Sequence, residues 1–181
     1  MMTKISQQAA MPEHIDDTQT APQYLIFRLS DERFALEILH VKEIIEYIGI
    51  TDIPLMPKFL KGVINLRGNV VPIIDLAVRF NRKSKEIAKR TCIIIVELSY
   101  NDNKHDLGII VDAVDEVIEI SAENIEKAPD FGVNLRAEFI LGMAKVNDKF
   151  LIILNPNYVL SINEMADLIE SQLKQNQPTK S

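Results

Sequence analysis

The chain has 181 residues, 47% of them hydrophobic, and carries 26 acidic against 20 basic side chains for a net charge of −6. That apolar content supports one ordinary core or two small ones, and the charge balance disfavours general binding to a phosphate backbone, which needs basic patches. The single cysteine, Cys92, excludes an internal disulfide and suits a reducing cytoplasm. No apolar run approaches the roughly 20 residues of a membrane-spanning helix, and the N-terminus lacks a basic-then-apolar signal pattern. The expectation is a soluble cytoplasmic protein.

Residues 1–21 mix Gln, Thr, Ala, Pro and both charges without a period, which reads as a disordered tail. From there the chain is a series of short Ile- and Val-rich runs broken by turn residues, the pattern of strands. Leu25-Ile26-Phe27 begins the series and Val41 to Glu46 continues it. Residues 62–76, GVINLRGNVVPIIDL, read as strand, tight turn and strand, with the turn on Arg67-Gly68-Asn69. Arg79 to Arg90 forms a basic link, read as a solvated loop or as a contact for an acidic partner face. Ile94-Ile95-Val96 and Val114 to Glu119 are further strands, and residues 142–156, GMAKVNDKFLIILNP, form a second hairpin turning on Asn147-Asp148. Ser161 with Glu164 makes a capping box that starts a helix over 162–174. The stripe Ile162, Met165, Ile169, Leu173 on that helix faces the β core or, as the alternative, a partner helix. Residues 173–181 read as a flexible end.

The two hairpins are copies. An offset of 80 carries Phe59, Gly62, Leu66, Val71, Ile73, Ile74 and Asp75 onto Phe139, Gly142, Val146, Leu151, Ile153, Leu154 and Asn155. The Leu25 run matches the Ile94 run at an offset of 69, and Val41 to Glu46 matches Val114 to Glu119 at 73. Matching blocks in the same order, with loop insertions between them, imply two related β-rich units over about 23–80 and 90–158. Their short strands favour small barrels or sandwiches. Units of this size are marginal alone, so they should pack together and leave a groove or seam.

The duplication separates fold from function. Gly62 recurs as Gly142, which marks a bulge or a close backbone approach. Pro72 is replaced by Ile152, which places an edge strand or bulge in the first copy only. Asn147-Asp148 is a serviceable hairpin turn with no arginine, so the turn does not need Arg67, and Arg67 becomes a candidate for partner contact.

The chain offers no catalytic signature. His14, His40 and His105 lack partners at metal-site spacing, and there is no Cys-x-x-Cys, His-Glu-x-x-His, P-loop, Gly-x-Gly-x-x-Gly or Gly-x-Ser-x-Gly motif. Asp112, Asp115, Glu116 and Glu119 read as the wet face of a strand, and Cys92 as a buried inert thiol. The reading is a noncatalytic binding module with no metal and no cofactor.

Lys61-Gly62-Val63-Ile64-Asn65-Leu66-Arg67-Gly68 followed by Val71-Pro72-Ile73-Ile74-Asp75-Leu76 resembles the signature of the CheW family of bacterial chemotaxis coupling proteins. Phe34-Ala35-Leu36 before Ile38 to Ile44, and Gly108 to Val117, resemble other segments of that family, so the likeness runs from about 22 to 172. The resemblance implies a mainly β fold of two five-stranded SH3-like barrels packed together, with a C-terminal helix. It implies a noncatalytic scaffold that bridges methyl-accepting chemotaxis receptors to the regulatory domain of the histidine kinase CheA, cytoplasmic and meeting the membrane only through those receptors. On the family pattern the receptor-facing residues are Val41, Glu43, Gly62, Asn65, Leu66 and Arg67. Kinase contacts map only as regions, the loops of the first half and the second half near Val111 to Val117, with Val111, Val114 and Val117 as the named residues. A similar adaptor of type IV pilus motility or another receptor–kinase pathway is the alternative. A barrel binding a small ligand or nucleic acid is the alternative of a different class, disfavoured by the acidic balance and the lack of tryptophan.

Overall fold

The computed structural model describes residues 21–128, 135–161 and 163–167. The strands are β1 Gln23–Leu29, β2 Glu32–Glu37, β3 Val41–Glu46, β4 Leu60–Leu66, β5 Asn69–Asp75, β6 Cys92–Tyr100, β7 Asn103–Val111, β8 Ala113–Glu119, β9 Ile125–Glu126, β10 Ile140–Val146 and β11 Lys149–Leu154. Two four-residue helices, α1 Leu76–Arg79 and α2 Pro156–Val159, follow β5 and β11. The strands form two sheets, ordered β8-β1-β2-β11-β10-β9 and β3-β6-β7-β5-β4.

Each sheet draws strands from both halves of the chain, so the repeat in sequence is not a boundary in space. β1 and β2 of the first copy complete a sheet with β8 to β11 of the second, while β6 and β7 of the second copy complete the sheet of β3, β4 and β5. The exchange is symmetric. Ile44 pairs with Ile94 across β3 and β6, and their counterparts Val117 and Leu25 pair across β8 and β1. Even the difference in strand number is small, because the counterpart of the two-residue β9 is a lone bridge between Thr51 and Val63. Swapped strands explain why neither copy must form a core by itself.

Three apolar cores result. Tyr24, Ile26, Ala35, Leu151 and Ile153 fill one barrel. Ile64, Val71, Ile73, Ile93 and Ile95 fill the other. Between them lies a larger core that includes Leu25, Phe27, Phe34, Phe80, Ile94, Val96 and Phe139. Alternation along a strand therefore sends every second side chain into a barrel and the others into the junction. Burial on both faces is why the runs look continuously apolar in sequence. Cys92 at the start of β6 is half-buried rather than buried, because it sits at the end of its strand; burial still pushes its thiol up.

Asp75 and Asn155 close the two copies as helix N-caps. Asp75 Oδ1 accepts from the amide of Val78 at 3.2 Å, and Asn155 Oδ1 accepts from the amide of Asn157 at 3.2 Å, satisfying donors that a helix start leaves open. The basic link is tied to its own chain: Arg82 bonds Glu32, Lys85 bonds Asp31, and the Ser84 hydroxyl donates to Asp75.

Residues 163–167 are helical, and Met165 is buried in the central core. The Ser161 hydroxyl accepts from the amide of Glu164 at 3.3 Å. The other half of the expected capping box does not form, because the Glu164 carboxylate is engaged by Arg79 and Arg136. The rest of the expected helix and the two expected flexible ends lie outside the described residues, apart from Ala21.

Candidate protein-binding surface

The β4–β5 hairpin turns on two residues of positive φ, Arg67 at 52° and Gly68 at 85°, and the β10–β11 hairpin turns on Asn147 at 52° and Asp148 at 62°. Asn, Asp and Gly suit this primed geometry. An arginine there is disfavoured by about 1 kcal/mol or more, so its side chain must explain its presence. Arg67 donates from Nη1 to Glu43 Oε1 at 2.5 Å and from Nη2 to Oε2 at 2.8 Å. This is the planar, two-pronged match that an ammonium cannot make. Glu43 lies on β3 and Arg67 follows β4, the two terminal strands of the five-stranded sheet, so the pair clasps the ends of that sheet together. The hydrogen bond from Arg67 holds the Glu43 carboxyl below its ordinary range, and Glu43 raises the guanidinium in turn. Among the described residues the other barrel has no such clasp: the counterpart of Arg67 is Asn147, and Glu116, the counterpart of Glu43, pairs with Arg33 at 3.6 Å.

Around this clasp the six receptor-facing residues expected from sequence take different positions. Asn65 is beside Arg67, its Oδ1 accepting from the amide of Gly68 at 2.9 Å and so pinning the turn. Gly62 has φ 148°, and a Cβ there would overlap the carbonyl oxygen of Thr51; its place is set by the crossing of residue 51. Val41 packs against the central core and Leu66 against the barrel interior, so these two side chains do not share one lining. Of the three expected in the second region, Val111 is fully buried, Val114 packs on the central core, and Val117 is 46% exposed. Val117 alone of the three presents its side chain outward.

A groove that the sequence reading did not specify opens along β5, and none of the six expected receptor-facing residues is in its lining. β5 and β7 run parallel, but their pairing starts at Ile73 and Gly108. Before that point the strands diverge, and a groove of about 780 Å³ opens between Asn69 to Pro72 and Lys104 to Leu107, with Ile53, Met56 and Met165 in its lining. Pro72 fits this edge for a backbone reason. Val63, opposite Pro72 on β4, uses both its N–H and its C=O on Thr51, each at 2.9 Å. The Val63–Pro72 pair is therefore of the non-hydrogen-bonded kind, and the proline nitrogen faces the open edge, where no donor is required. The far wall is the β6–β7 hairpin, whose strands have nine residues each against seven and six in β1 and β2. Two signals in the sequence marked this place: the unmatched Pro72, and the growth of the repeat offset from 69 to 73.

The groove is apolar along its floor and self-compensated at its rim. Lys42 bonds Asp106 at 2.8 Å and lies 3.9 Å from Glu97, which also pairs with Lys104 at 3.6 Å. Val70 on the β5 wall is 71% exposed. Such a surface offers apolar contact area and an open strand edge, components of peptide or helix recognition. Among the described residues no cluster of His, Cys, Asp and Glu could hold a metal ion.

The fold and this surface define a paired-barrel adaptor domain. Residues 23–164 match the family model described as CheW-like domain. The chain is 39% identical over 144 residues to the chemotaxis protein CheW of Klebsiella aerogenes, covering 80% of this chain and 84% of the relative. It is 31% identical over 160 residues to the chemotaxis protein CheW of Treponema pallidum, covering 87% and 92%. The crystal structure of the scaffolding protein TtCheW from Thermoanaerobacter tengcongensis superposes with a TM-score of 0.71 at 34% identity, covering 88% of this chain and 96% of that one. The chain belongs to the CheW-like family, and it is a noncatalytic scaffold protein of chemotaxis signalling.

Proposed function

We propose that this chain couples the helical cytoplasmic tips of methyl-accepting chemotaxis receptors to the regulatory domain of the histidine kinase CheA. The observation that carries the reading is the groove along β5, with an apolar floor and a self-paired rim. A receptor tip lays the apolar face of a helix along Val70 and Met56, and Arg67 meets a carboxylate or a helix-end carbonyl. The kinase meets the other barrel through the exposed Val117 on β8, the terminal strand of its sheet. Individually weak contacts gain from repetition when many copies are engaged at once. Among the described residues no helix is long and apolar enough to cross a membrane; recruitment to receptor arrays through these protein contacts is part of the proposal. Co-sedimentation of the purified chain with a receptor signalling fragment and with the kinase tests the reading; binding to neither above background contradicts it.

A further inference from the structure

The junction between the barrels holds a buried positive charge. Arg79, the last residue of α1, has a side chain only 7% exposed. Its guanidinium lies 5.2 Å from the ring centre of Phe59 and 4.9 Å from that of Phe139, two residues that are counterparts in the repeat. Its Nε donates to the carbonyl of Val159 at 3.1 Å. Val159 is the counterpart of Arg79 itself, so the junction is symmetric in shape and asymmetric in charge.

The charge is balanced from the C-terminal turn. Glu164 Oε1 is 3.0 Å from Arg79 Nη2 and 2.7 Å from Arg136 Nη1. Arg79 Nη2 is buried and makes no hydrogen bond of good geometry, so this ion pair is its compensation. Removing one partner of such a pair leaves a buried charge that the junction must expose or hydrate. The residues on either side of Glu164 are fixed too. Asn163 accepts from the Tyr100 hydroxyl at 2.6 Å at the tip of the longer hairpin. Met165 is buried in the central core, and together with Ala166 it lines the groove.

We propose that Glu164 is a latch coupling the groove to the angle between the barrels. The groove has its Met165 wall only while Glu164 neutralises Arg79, and a helix seated in the groove holds the latch closed. This rests on the groove being the receptor site. Coupling of this kind is reciprocal: what loosens the latch weakens binding, and binding tightens the latch.

The test uses the full-length protein with Cys92→Ser, spin labels at Asp52→Cys beside one barrel and Glu123→Cys beside the other, and distances from pulsed electron resonance. A single narrow distance is expected without further change. Glu164→Gln should split or widen it, lower affinity for a receptor signalling fragment about five-fold or more, and recover a narrow distance when that fragment is added. Arg79→Met with Glu164→Met, which removes both charges, should restore the narrow distance without any fragment. An unchanged distance in Glu164→Gln, or a double variant as broad as the single one, overturns the latch. A fragment that fails to bind the otherwise unsubstituted chain contradicts the receptor reading instead, and the fragment-free distances still decide the latch.

Discussion

Arg67 grips both carboxylate oxygens of Glu43 from a turn position whose backbone disfavours it. The side chain is 69% exposed, and ion pairs this open to solvent contribute little to stability. A contribution of that size does not outweigh the backbone term. Arg67→Asn should therefore leave thermal stability unchanged or raise it slightly, while receptor coupling falls. Denaturant midpoints and receptor-fragment binding on the same preparations check this. A large loss of stability would show that Arg67 is structural.

The same pair has a pH signature. Glu43 is held below its ordinary value by the hydrogen bond from Arg67. A lowered folded pKa means that its contribution is fully present above the unfolded value and is lost as pH falls through the lowered one. The clasp should thus persist at neutral pH and open only in acid. Carboxyl titration followed by nuclear magnetic resonance should place Glu43 below the ordinary value of 4.5 and return it toward that value in Arg67→Asn.

Gly62 separates fold from partner contact. A methyl group there overlaps the Thr51 carbonyl at a φ of 148°, so Gly62→Ala should destabilise the chain by about 2 kcal/mol or more. Loss of receptor binding in this variant should follow the loss of folded protein, measured by circular dichroism and binding at matched temperatures. Full stability with selective loss of binding would make Gly62 a contact residue.

Much of this was legible in the sequence. The offsets 69, 73 and 80 are the structural equivalences: Ile44–Ile94 matches Val117–Leu25, and Gly62–Ile73 matches Gly142–Ile153. The strand exchange was not legible, because alternation tells which way a side chain points and not which strand lies beside it. Here both faces are apolar, so even the direction gave little guidance. Val41 and Leu66 look alike as exposed-groove candidates for the same reason, yet they enter different cores. Glu43 and Arg67 were named from family likeness, while their contact depends on the two ends of a sheet meeting, which no local pattern encodes.

On the second barrel, Val117 and Val111 should behave oppositely. Val117→Glu changes an exposed side chain and should shift stability by no more than about 0.5 kcal/mol while weakening kinase binding. Val111→Ala empties a fully buried site and should cost about 2 kcal/mol with kinase binding retained in the folded fraction. Titration calorimetry against the kinase regulatory domain, paired with chemical denaturation, distinguishes them.

The most direct measurement is sedimentation of a receptor signalling fragment with the isolated kinase regulatory domain, with and without this chain. The regulatory domain should sediment with the receptor only when the chain is present. Val70→Glu in the groove should abolish that bridge while leaving binary kinase binding intact. A regulatory domain that sediments equally without the chain, or a bridge indifferent to Val70→Glu, would contradict the account.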